Sequence, residues 1–268
     1  MEEQYALIKR IKENSIRMMM DRGYTEALYH PLSEDIQTLD NPSSSVESEE
    51  LNYYLGMNTE EFYNFLQEKN RRDDDDDDEG DAEDEIHGLN QIYIHPHTQR
   101  KAYIIFISDN DMNSSSDSLI KYIRKILNKK DHDPFLSHPI TGIDTFLFIS
   151  NDTLNKDKII TIKGLLLKIK NVQFFVKKEL YMHVISGKLV PKHVPMSHIQ
   201  ARRFLKMNKL SADQLPKIAY DDPITKHYGL LPGQIFKIYR IKCDVPGFIT
   251  NSITYRYVYN RSIQTIDS

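Results

Sequence analysis

A single cysteine, Cys243, stands among 268 residues. One thiol excludes an internal disulfide and any zinc cluster built on cysteines, and it predicts a reducing compartment, cytosol or nucleus. Long apolar runs are missing too. The most apolar stretches, such as AYIIFI at 102–107, are far too short to cross a bilayer, so no membrane partner is expected. The opening MEEQYALIKR carries acid and has no extended apolar core, which predicts no signal peptide. No GxGxxG fingerprint or P-loop follows any strand-like run, and Ser114 to Ser116 lack the glycines of a nucleophile elbow. Nothing marks a nucleotide pocket or a cofactor site.

Charge is present but unevenly spread. The run DDDDDDEGDAEDE, residues 73–85, holds eleven acidic residues and no basic one. Such a run repels itself and is expected to stay solvated and disordered. Without it the net charge would move from −4 to +7. The remainder is mildly basic, which permits a surface facing nucleic acid without establishing one.

Hydrophobic periodicity divides the chain. Leu7, Ile8, Ile11, Met18 and Met19 recur at helical spacing, with Gly23 as the stop. Asn58 with Glu61 reads as a cap opening a second helix that carries Phe62, Phe65 and Leu66, while 41–50 reads as loop. Beyond the acidic run, AYIIFI (102–107), DTFLFIS (144–150) and NVQFFV (171–176) are short, nearly continuous apolar runs, the pattern of strands buried on both faces. Helical segments at 116–130 and 155–169 separate them. The expected fold class is α/β (α+β overall). An N-terminal domain, 1–186, carries a small, mostly parallel βαβαβ sheet, and a compact αβ module fills 187–268. In that module Ser197 with Gln200 and Ser211 with Gln214 are capping boxes, and Pro216 ends the second helix. Asp222-Pro223 opens a third helix and Gly229 closes it. Pro232-Gly233 turns into a strand at 234–241, and a last strand runs over 252–259.

Chemistry-bearing residues are few. Lys192 and His193, bracketed by Pro191 and Pro195, lack a third group to orient them for proton transfer; a stiff joint between domains is the favoured reading. His95 and His97 lack a third metal ligand and read as a surface turn. Asp109, Asp111, Asp144 and Lys158 lie near strand ends, where a metal-dependent nuclease would place its ligands, and where solvated carboxylates are also common. Arg202, Arg203, Lys206 and Lys209 sit on one short helix and suit phosphate, an acidic partner or plain solvent. Tyr255, Tyr257 and Tyr259 share one strand face, as a base-stacking platform or, more often, as sheet packing. No catalytic, cofactor-binding or metal-binding residue is assigned.

LVPKH (189–193), QLPKI (214–218), DDP (221–223), HYGLLPGQ (227–234), KIYR (237–240) and ITYR (253–256) follow one another in the order and approximate spacing of one family. In these blocks the chain resembles the fifth shared subunit of eukaryotic nuclear RNA polymerases, whose C-terminal module is similar to a small archaeal polymerase subunit. MMMDRGY (18–24) resembles the end of that family's first helix. The acidic run looks like an insertion, the segment between Arg240 and Ile253 is longer than usual, and QARRFLKMNKL lacks the family's more acidic residues. These departures, with the Asn- and Ile-rich composition, suit a copy encoded by a large DNA virus. The resemblance implies a non-catalytic polymerase subunit with no cofactor of its own, docking on the largest subunit and touching other subunits. Its N-terminal domain would belong to the lower jaw, near downstream duplex DNA, with backbone contacts insensitive to sequence. Pro191 and His193 would lie at the domain junction, Pro216 and Gly229 in turns, and Gln234 to Arg240 with Ile253 to Arg256 in the sheet that helps form the assembly surface, with Gln234, Arg240, Tyr255 and Arg256 as interface residues. Within one Debye length, about 8 Å, the acidic run repels phosphate, so it is expected to point away from DNA or to keep stray nucleic acid off the free subunit. The nucleus is the expected location, with a cytoplasmic viral factory or a virion as the alternative. A nuclease, or a free-standing transcription factor that borrows the assembly module, are the competing functions.

Overall fold

The computed structural model describes residues 2–26, 49–71, 89–108, 120–121, 123–124, 143–245 and 248–260. The acidic run at 73–85, most of the loop at 41–50, Asp109, Asp111 and Ser114 to Ser116 lie outside these. Of the helix expected over 116–130, the four described residues are helical, and Ile123 is buried.

Two compact units divide the chain, Met1–Met182 and His183–Ser268. The first contains α1 (Glu2–Asp21), β1 (Thr25–Glu26), α2 (Glu49–Gly56), α3 (Thr59–Arg71), β2 (Gln91–Ile94), β3 (Lys101–Phe106), β4 (Ile143–Ser150), α4 (Lys156–Leu165) and β5 (Asn171–Val176). Its sheet runs β1-β2-β3-β4-β5. The three strands legible in the sequence are the parallel core, whereas β1 and β2 add to one side antiparallel, giving a mixed sheet. Alternation explains the apolar runs. Ala102, Ile104, Phe106, Leu147 and Ile149 face α1, α2 and α3, while Tyr103, Ile105, Phe146 and Phe148 face Ile162 and Leu166 on the α4 side. A sheet covered by helices on both faces has no polar side to display. The IITI segment lies in α4 despite its β-branched residues, because burying Ile162 there outweighs a few tenths of a kcal/mol of propensity.

Polar side chains anchor α1 where it is buried. Lys12 donates to Leu89 O at 3.2 Å and to Gln91 Oε1, and Asn14 Nδ2 donates to Leu180 O at 2.8 Å. Arg22 reaches Gln173 Oε1 at 2.9 Å, joining the helix end to β5. The Asn58 cap is reciprocal: Glu61 N donates to Asn58 Oδ1, and Asn58 N to Glu61 Oε2.

The second unit contains β6 (Lys192–Pro195), α5 (His198–Asn208), β7 (Lys217–Ala219), α6 (Pro223–Tyr228), β8 (Ile235–Val245) and β9 (Phe248–Tyr259), in sheet order β6-β8-β9-β7. The division at 182/183 lies upstream of the expected 186/187, and Lys192-His193 is not a joint. It is an edge strand, with His193 opposite Ile238. An edge tolerates proline because one side of the strand has no ladder to feed, so Pro195 fits there without interrupting anything. Strands β8 and β9 form a longer hairpin than the periodicity indicates, pairing out to Val245 and Phe248. Ser197 and Gln200 cap α5 reciprocally. The second box opens only a 3₁₀ turn, Ala212–Gln214, before Pro216 stops it. Asp222 Oδ1 accepts from Ile224 N at 2.9 Å above Pro223, and Gly229 closes α6 at φ 64°, a left-handed position that glycine occupies without Cβ strain.

Candidate assembly surface

Register sorts the β8–β9 hairpin into two faces. Phe236 lies opposite Arg256, Ile238 opposite Thr254, and Arg240 opposite Ser252; the alternate pairs are Lys237 with Tyr255 and Tyr239 with Ile253. On the first face Phe236, Ile238 and Val258 pack with Ile218 and Leu230 beneath Tyr228 of α6. On the other, Phe204 of α5 stacks on Tyr255 with centroids 3.9 Å apart. The tyrosine face therefore packs a helix. Tyr259 is likewise engaged, beneath Lys217 Nζ at 5.8 Å.

His193 belongs to the core. Its Nδ1–H donates to Pro191 O at 2.6 Å, and its ring meets Phe236 edge-on at 5.4 Å. Burial pushes its pKa below the ordinary histidine value; Pro191 O and Asp222 oppose this, and Arg256 and Arg240 add to it. Above the unfolded pKa of about 6.5 both states are neutral and the site is pH-independent. As pH falls below that value the unfolded chain takes a proton that the folded chain refuses, so stability drops until the folded pKa is passed. His193→Gln should flatten this slope between about pH 7 and pH 5, relative to the parent chain, in urea unfolding followed by circular dichroism. An unchanged slope would show that His193 titrates alike in both states.

At the hairpin's far end an open groove of 1210 Å³ runs between the 188–194 segment and β8–β9. Lys188, Lys192 and Arg240 give it positive charge, no acidic residue lines it among the described residues, and Leu189, Tyr239 and Ile253 give it exposed apolar surface. Beside it, Arg240 Nε, Ser252 Oγ and Thr254 Oγ1 are buried atoms with no hydrogen-bond partner among the described residues. Leaving a buried polar atom unpaired costs about 1–3 kcal/mol. All three lie on the β8–β9 strand pair. β6 pairs with β8 only as far as Tyr239, so β8 continues past its neighbour into this region.

The eight expected interface residues distribute unevenly over this unit. Arg240 and Pro191 line the groove. Arg256 is half-buried on the core face near His193, and Tyr255 is covered by Phe204. Gln234 sits in the turn before β8, its Oε1 accepting from Leu231 N. Pro216 is exposed, and its carbonyl accepts from Tyr257 N at 2.9 Å. Gly229 caps α6. Tyr239 and Thr254 fall within the segments expected in the sheet, whereas Leu189 and Ser252 were not singled out by the sequence; the placement of Ser252 in line with Thr254 and Arg256 on an otherwise apolar face was the available signal. Elsewhere, Asp144 is tied to Lys170 Nζ at 3.4 Å and stands at the N-terminal end of β4. That is the end opposite to the one from which the chain leaves β3 toward residue 109. His95 and His97 lie at a turn between β2 and β3, where His95 Nδ1 accepts from Thr98 N.

Residues 182–258 match the family model described as RNA polymerase Rpb5, C-terminal domain. The chain is 50% identical over 70 residues to the DNA-directed RNA polymerase subunit Rpo5 of Archaeoglobus fulgidus, covering 26% of this chain and 87% of that one. It is 36% identical over 87 residues to the DNA-directed RNA polymerases I, II, and III subunit RPABC1 of Caenorhabditis elegans, and 35% identical over 76 residues to the rpabc1 of Dictyostelium discoideum. Those matches cover 32% and 28% of this chain, and only 39% of each of the two relatives.

Proposed function

The chain belongs to the Rpb5/Rpo5 family of DNA-directed RNA polymerase subunits, and from that membership we propose that it is itself an accessory, non-catalytic subunit of a DNA-directed RNA polymerase. The unit His183–Ser268 is the assembly module, docking on the largest subunit. The unit Met1–Met182 contributes to the lower jaw, near downstream duplex DNA, through salt-dependent contacts that do not depend on base sequence. Of the expected interface residues, Arg240 and Pro191 take part directly; His193, Gly229 and Gln234 act by holding the sheet and its turns. The complex works where transcription occurs, in a nucleus or, for a viral copy, in a cytoplasmic factory or virion.

The carrying observation is the coincidence of two findings on one segment. The part similar to most of an archaeal polymerase subunit is the part whose folded form exposes a positively charged apolar groove beside three buried polar atoms that have no partner among the described residues. Buried polar atoms are ordinarily paired, so atoms left without a partner among the described residues support a contact supplied by another molecule.

Affinity purification of the tagged full chain from its native source in high salt tests the reading. The two largest polymerase subunits are expected in equimolar amounts. A partner lost in the high-salt wash would instead indicate a recruited factor, and absence of polymerase would refute the assignment.

A further inference from the structure

The outward face of α5 carries a second, unrelated pattern. At about 100° per residue, Ile199, Arg203 and Lys206 lie along the outer line of the helix, with Arg202 on one flank and Met207 on the other. Ala201, Phe204 and Leu205 face inward, in accord with their partial burial and with Phe204 on Tyr255. Ile199 is 81% exposed and Met207 71% exposed. No carboxylate occurs in the sequence between Lys188 and Leu210, and Arg202, Arg203 and Lys206 form no ion pair among the described residues.

A single exposed apolar residue is ordinary. Two of them, about 12 Å apart along the axis, bracketing three unneutralised cations, are not what a solvated face requires. A phosphate backbone would use the cations and leave Ile199 and Met207 in water. A protein segment uses both, and Arg and Met are residues that interfaces favour. We propose that this face of α5 docks an acidic helical segment of a partner protein. Its carboxylates would pair with Arg202, Arg203 and Lys206, and its apolar side chains would cover Ile199 and Met207. This surface stands apart from the groove at the hairpin's far end, and it does not depend on the polymerase reading.

Fluorescence anisotropy on the full chain tests it. The probe is a labelled, helix-forming peptide rich in glutamate, with two leucines spaced like Ile199 and Met207. Binding that weakens with salt is expected. The triple variant R202E/R203E/K206E should lower affinity by at least ~10-fold. The double variant I199S/M207S should lower it several-fold while leaving the salt dependence unchanged. All five side chains are exposed, so both variants should keep the parent's thermal unfolding curve. Failure of the folded parent to bind the peptide overturns the proposal, as does binding indifferent to either variant. Tighter binding of a duplex of about 20 base pairs, lost with the charges but untouched by I199S/M207S, would make the face a phosphate contact instead. Binding to phosphatidylserine vesicles without peptide binding would make it a lipid contact.

Discussion

Phe236→Ala is expected to destabilise the C-terminal unit by about 3–5 kcal/mol, and to abolish retention on the polymerase in high salt. Phe236 is fully buried and meets His193 and Tyr228 edge-on at 5.4 and 5.6 Å. Among the described residues the cluster around it is small, with Ile218, Leu230, Ile238 and Val258 as fellow buried members and Tyr220, Ile224 and Tyr228 packed against them. Deleting the ring removes the largest side chain from a core with few others to collapse into the space. Domains of this size have about 5–15 kcal/mol of stability in all, so such a loss consumes much of the margin. Urea unfolding by circular dichroism measures it, with Phe236→Leu as a milder control expected to cost markedly less. A loss below about 1 kcal/mol would mean that Phe236 is not the keystone of this core.

Arg240→Glu should leave the fold intact and reduce polymerase retention by ~30-fold or more, the equivalent of the 2 kcal/mol at the low end for breaking a desolvated charged contact. The residue lines the groove, and its Nε has no partner among the described residues. Reversal replaces a donor with a repulsive acceptor. The same change has a second readout. Arg240 helps hold the His193 pKa down, so a carboxylate at that position should let it rise, seen in the imidazole proton shifts of a pH titration. A moved His193 titration with undiminished retention would place docking elsewhere on the module. Loss of both retention and folded signal would mean that Arg240 is needed for stability.

Much of this was legible in the sequence because its causes are local. The Asn58–Glu61 and Ser197–Gln200 caps, the Asp222-Pro223 opening of α6 and the Gly229 stop each depend on residues a few positions apart. The apolar runs at 102–107 and 144–150 announced buried strands because a sheet covered on both faces needs apolar residues at nearly every position. The run at 171–176 instead forms the edge strand β5, in which only Gln173 and Phe175 are buried. The sites were less legible. His193 between prolines looks like a joint in one dimension, and becomes a core residue only because β8 lies beside it. Arg240, Ser252 and Thr254 are ordinary polar residues until the hairpin register sets them on one face.

The sequence by itself determined the element types, their caps, the two-part organisation, and membership of a polymerase-subunit family through six short blocks in order. Tertiary structure alone decided that β1 and β2 join the parallel strands antiparallel, that the division falls at Met182, and that an edge strand stands where a joint was expected. It also decided which polar atoms beside a groove have no partner among the described residues. The reason is the range of the forces involved. Capping and periodicity act over one or two turns and leave their record in adjacent letters, whereas burial, register and edge exposure depend on strands tens of residues apart meeting across a shared core.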